Sequence, residues 1–206
     1  MLEGTARNRR RASRTGLLAA LVCLCGTALL FAADRTAQDT IPDWPAKPKE
    51  AAQAMIAKYG QPDGVTPQQL IWYDKAPWKE IIVNRREVPH SFPKPHTDLL
   101  EQAIEHRVPP EKYDDLAQYD GSVIVERTKG TLSARCDKEE MNFLALNLAH
   151  DVATGKATVA AARKTYADTA MAFMKGEKRP YTQKLQFEIA KGNAGDPDQP
   201  AAMDKK

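Results

Sequence analysis

The chain of 206 residues carries 30 Lys and Arg against 27 Asp and Glu, with 42% hydrophobic and 28% charged residues. That composition excludes collagen, a long coiled coil and a protein with many membrane spans. The formal charge of +3 would point to a polyanionic partner, but Arg7, Arg9, Arg10, Arg11 and Arg14 lie with Glu3 in the first 33 residues, and the rest has 25 basic and 26 acidic residues. Nucleic acid is therefore not an expected partner of the folded part.

After the arginines, residues 16–33 form an uncharged run of 18, rich in Leu and Ala and closed by Asp34 and Arg35. This is the basic and apolar pattern of an export signal. As a helix it would span about 27 Å, enough to cross the hydrocarbon layer, so a cleaved signal peptide and a retained signal anchor both fit. Cleavage after Ala28 would use Gly26 and Ala28 as the small pair, whereas cleavage after Ala33 puts Phe31 where a small residue is wanted; the anchor is preferred. The arginines place the start in the cytoplasm and the body outside it, periplasmic or held at the inner membrane through residues 16–33. Cys23 follows Val22 and Cys25 follows Leu24, which lacks the small residue of a lipoprotein signal. Ala12 and Ser13 after the arginines do not suit a twin-arginine signal.

Residues 34–49 hold three prolines and few apolar side chains and read as a Pro-rich tether. Residues 192–206 read as a disordered tail. Between them, residues 50–191 are the size of one domain. A helix is expected over 50–59, stopped by Gly60. Two apolar runs, 70–73 and 81–83, flank Asp74-Lys-Ala-Pro77 and predict a hairpin with Trp72 and Trp78 beside its turn. Residues 87–95 read as an irregular proline-rich loop leading to Thr97, where Leu99, Leu100, Ala103 and Ile104 suggest a capped helix. A short helix through Leu116 and Tyr119 should close at Asp120-Gly121. A second hairpin is expected from 122–126 to a strand ending near Arg135, turning at Thr128-Lys129-Gly130.

The strongest helical pattern follows, with Met141, Leu144, Ala145, Leu148 and Val152 on one face, Asp137 as cap and Gly155 as stop. A last helix should run over 158–174, and residues 185–189 alternate as an added edge strand would. Strands joined by tight turns rather than helical crossovers predict an α+β fold, a small antiparallel sheet of hairpins packed against several helices.

Chemistry is concentrated in His90-Ser-Phe-Pro-Lys-Pro-His96-Thr-Asp98. Two imidazoles and a carboxylate on a stiff loop are ligand types that suit zinc or iron. The more economical account gives the histidines to hydrogen bonds within the loop and Asp98 to a helix dipole, since no established metal motif is matched. Cys136, the single thiol outside the leader, precedes a helix N-terminus that would favour a thiolate. His150 and Asn147 are suitable companions by type, but His150 lies about 20 Å up the same helix. A C-x-x-C-H haem attachment, a P-loop, G-x-S-x-G and H-E-x-x-H are absent. The leading expectation is an exported envelope domain that binds an envelope protein or small ligand through residues 87–98 and the aromatic turn at Trp72 and Trp78. The alternative is a small extracytoplasmic metal- or thiol-dependent enzyme using His90, His96, Asp98 and Cys136; whether the protein is an enzyme stays open, with binding favoured.

Overall fold

Turn chemistry lays down most of the sheet. In the computed structural model, which describes residues 36–189, 192, 194, 195 and 197–201, the chain reverses at Ala76-Pro77, with Asp74 at φ 51°. This pairs β2 (Gln69–Lys75) with β3 (Trp78–His90). A second reversal pairs β5 (Val123–Glu126) with β6 (Thr131–Cys136). Gly130 is needed in that turn twice over: its φ is +67°, and a Cβ there would meet the backbone of Ala194 at 2.2 Å. With β1 (Gly64–Val65) and β4 (His96–Glu105), the strands form one antiparallel sheet of order β1-β2-β3-β4-β6-β5. Five α-helices complete an α+β domain: α1 (Ala37–Thr40), α2 (Ala46–Tyr59), α3 (Tyr113–Tyr119), α4 (Glu139–Ala153) and α5 (Val159–Met174).

The register writes the core in rows, because residues directly opposite in antiparallel strands point to the same face. One row runs Leu70, Val83, Leu100, Cys136 and the next Trp72, Ile81, Gln102, Ala134; all eight are buried. Helices α2 and α4 cover this face. The Gln102 amide reaches Met55 of α2, and Asn142 of α4 donates to the Leu100 carbonyl at 3.0 Å. Each large apolar side chain so enclosed contributes about 1.5–3 kcal/mol.

One carboxylate lies inside this layer. Glu139, in the first turn of α4, accepts hydrogen bonds from Tyr59, from the Trp78 indole at 2.7 Å and from Gln102 at 3.1 Å, and it pairs with Lys58. Burial raises its pKa, but these donors outweigh it and leave the carboxyl below its ordinary value. Burial, then the Glu139 carboxylate, pushes the Tyr59 hydroxyl up.

Several expectations are corrected. The helix read from Thr97 is strand β4. Its apolar residues at 99, 100, 103 and 104 match helical spacing, but it is flanked by β3 and β6 and buried on both faces, so alternation is lost. The 87–95 segment is no irregular loop: residues 87–90 finish β3, leaving only 91–95 as the connection. The tether is folded from Thr36 onward, where a capping box starts α1 and Ala37, Ile41 and Trp44 enter the core. Asp137 does not cap α4, whose N-cap is Lys138 with no side-chain bond. Residues 185–189 add no strand. Buried Asn147 bonds the carbonyls of Tyr181 and Lys184 and the amide of Gln186, holding this segment against α4 instead. In the tail, Arg107 donates to the Ala194 and Gly195 carbonyls and Arg127 pairs with Asp198.

Both expected hairpins, α3, α4 and α5 are present, with Thr158 capping α5 and Gly155 at φ +74° after α4. The leader reading lies outside the described residues, among which no helix is long and apolar enough to cross a membrane.

Candidate metal centre at the β3–β4 hairpin tip

The pairing of β3 with β4 shifts midway: Val83 faces Leu100, yet Val88 faces Asp98. Five residues of β3 are thus set against two of β4, and the bulge re-aims the end of the hairpin. Beyond it His90 lies directly across from His96 and Val88 across from Asp98. Alternate residues of a strand share a face, so His90, His96 and Asp98 all point to one side. The two rings are 4.8 Å apart between centroids.

Asp98 sits between them. Its Oδ1 is 3.2 Å from His96 Nε2 and its Oδ2 is 3.3 Å from His90 Nδ1. One donor atom from each of the three residues can be chosen so that all lie within 4.8 Å of one another. The Asp98 side chain is only 5% exposed. Ser122 donates to Oδ2, whereas Oδ1 is buried, makes no hydrogen bond and is ion-paired with the His96 ring.

The surroundings orient both rings. His96 Nδ1 lies 2.9 Å from the Lys94 carbonyl, an acceptor that places the Nδ1 proton and directs Nε2 at Asp98. His90 presents Nδ1 to Ser122 Oγ at 3.2 Å and to Asp98, while its Nε2 is 3.8 Å from the buried carboxylate of Asp120. Backbone carbonyl or carboxylate partners on the far nitrogen are what fixes metal-ligating imidazoles.

Electrostatics follow from this geometry. Contact with Asp98, then with the Cys136 thiol, lifts the His96 pKa to about 11. Burial raises Asp98, but His96, Ser122 and the His90 charge outweigh it and hold the carboxyl below its usual value. Burial pushes Asp120 up. It also pushes the Cys136 thiol up, against the pull of His96, so this sulfur is not an activated thiolate.

Of the other residues singled out from sequence, Trp72 and Trp78 are not presented to any partner. They are 0% and 1% exposed, with their indole N–H groups bonded to the Gly60 carbonyl, and to Tyr59 and Glu139. Cys136 lines the same region as His96, while its proposed companions are engaged elsewhere. Asn147 holds residues 181–186, and His150 stacks on Phe187 at 3.9 Å. Ser122 and Asp120 were missed as site residues: Asp120-Gly121-Ser122 carries only a turn signal, and their approach to His90 is a long-range contact.

Searches against family models, curated proteins and solved structures find no match to this chain.

Proposed function

We propose that this protein is an exported envelope domain that binds a metal ion through His90, His96 and Asp98. The observation that carries the reading is the convergence of His90, His96 and Asp98, one donor atom from each lying within 4.8 Å of the others, around a buried carboxylate. A cation takes the place of the proton held between His96 Nε2 and Asp98 Oδ1, with His90 as the second imidazole, so its uptake competes with that proton and releases it. Two nitrogens and a carboxylate suit zinc, and three protein ligands leave a coordination position open. The same donor set suits ferrous iron. The basic, then apolar leader supports placement of the domain outside the cytoplasm.

Metal analysis of the purified protein tests this. One equivalent of zinc or iron per chain, lost in Asp98→Asn and His96→Gln with melting still cooperative, is the expected result. Failure to retain or take up stoichiometric metal at micromolar concentrations, or uptake unchanged in both variants, overturns it. Export is tested separately, by protease admitted only to the outer side of the inner membrane: degradation is expected and full protection refutes it.

A further inference from the structure

Beside the hairpin tip lies a cavity of about 450 Å³, within the size range of small-molecule sites. Its lining is divided by element. Helix α5 contributes Tyr166, Ala170, Met171, Phe173 and Met174, and α4 adds Met141. Met171 and Met174 are 46% and 47% exposed, two of the few large apolar side chains of the described residues left in solvent. Methionines are flexible and polarisable enough to fit an apolar body of variable shape.

The other elements bring cations. Lys94 at the hairpin tip, Lys47 in α2 and Lys138 before α4 all line the cavity and are exposed. Asp137 is the one acidic residue among the lining. The lysines are weakly committed. Lys47 reaches only Thr97 at 3.4 Å, Lys138 lies 4.0 Å from Glu50, and no acidic partner of Lys94 is found among the described residues.

A cavity lined by apolar side chains of α5 and by weakly committed lysines suits a molecule that combines the two characters. We propose that this cavity binds a small amphipathic monocarboxylate, its hydrocarbon body along α5 and its carboxylate among Lys47, Lys94 and Lys138. The site goes beyond the metal reading and stands on the cavity lining, not on an ion. His96 and Cys136 form part of the same lining, so a bound carboxylate lies next to the hairpin tip.

Decanoate below its micellar range is the probe, followed by calorimetry on the purified protein with and without zinc. The expected result is saturable one-to-one binding to wild type, with decanol at least tenfold weaker for want of charge and acetate not bound for want of a tail. Lys47→Glu/Lys138→Glu and Met171→Asp/Met174→Asp each weaken decanoate at least tenfold. All four positions are exposed, and unchanged melting temperatures show that the variants fold. Metal uptake by these variants stays intact, and Asp98→Asn, which loses metal, still binds decanoate, so failure of either site is visible apart from the other. Absence of decanoate binding up to millimolar concentration, equal affinity for decanol, or unchanged affinity in both double variants overturns the proposal.

Discussion

Two pairs of histidines stand at the two ends of strand β4, and the protein treats them in opposite ways. At its start, His90 and His96 face Asp98 and the His96 pKa is lifted to about 11. Just past its end, His106 and His150 lie 5.2 Å apart with Phe187 against both, and among the described residues no carboxylate bridges them. There burial, then the neighbouring His150, drives the His106 pKa down to about 4, and burial lowers His150 as well. The same side chain is thus a charged, carboxylate-paired group at one end of a strand and a neutral aromatic packing element at the other. What differs is not the strand but what the neighbouring elements bring to it: Ser122 and Asp120 at one end, the 181–189 segment over α4 at the other. Clustered histidines are therefore not in themselves a site; the buried Asp98 carboxylate shared by both rings is what distinguishes the first pair.

The largest expected difference between the two pairs is their response to metal. Zinc at about a thousand times its dissociation constant should stabilise the fold by about 4 kcal/mol, read as a rise in melting temperature of about 10 °C for a domain of this size. Asp98→Asn should abolish the rise and His106→Phe should leave it intact. A rise lost equally in both variants would erase the distinction between the pairs.

Acid should act on the second pair. An imidazole whose folded pKa lies below its unfolded value of about 6.5 takes up its proton first in the unfolded chain. Stability from His106 is therefore fully present above pH 6.5 and drains as pH falls from there toward 4. After allowance for partial solvent access, the loss is on the order of 2 kcal/mol. Denaturant titrations of wild type and His106→Phe at several pH values should show a difference that grows in wild type's disfavour across that window. Parallel curves would mean that His106 is not held neutral.

The smallest effect concerns the stacked ring. His150 lies 3.9 Å from Phe187 with 7° between planes, an arrangement worth about 1 kcal/mol beyond its buried area. A double-mutant cycle with His150→Ala and Phe187→Ala should return a coupling of that size. A coupling within error of zero would reduce the second pair to surface contact.

The helices of the C-terminal half and both expected hairpins could be read directly from residue order, because periodicity and turn residues act over a few positions. Met141, Leu144 and Leu148 recur at helical spacing whatever surrounds them, and Thr158 caps α5 through its own neighbour Ala161. Gly130 and Gly155 mark reversals that only glycine adopts readily. The residue types of the candidate metal centre were visible in the same way, as two histidines and an aspartate near three prolines.

Tertiary structure alone decided the rest. Leu99, Leu100, Ala103 and Ile104 suit a helix or a doubly buried strand equally well, and only the pairing of β4 with β3 and β6 resolves which. Trp72 and Trp78 read as an exposed aromatic turn until Tyr59 and Gly60 at the end of α2 and Glu139 at the start of α4 take up their indole N–H groups. The convergence of His90, His96 and Asp98 depends on a register shift between Val83 and Val88, and the approach of Ser122 depends on a contact 32 residues away from His90 along the chain. Local sequence sets which elements can form and which ligand atoms are on offer. Which atoms meet is set by strand register and burial, long-range properties that no short window of residues contains.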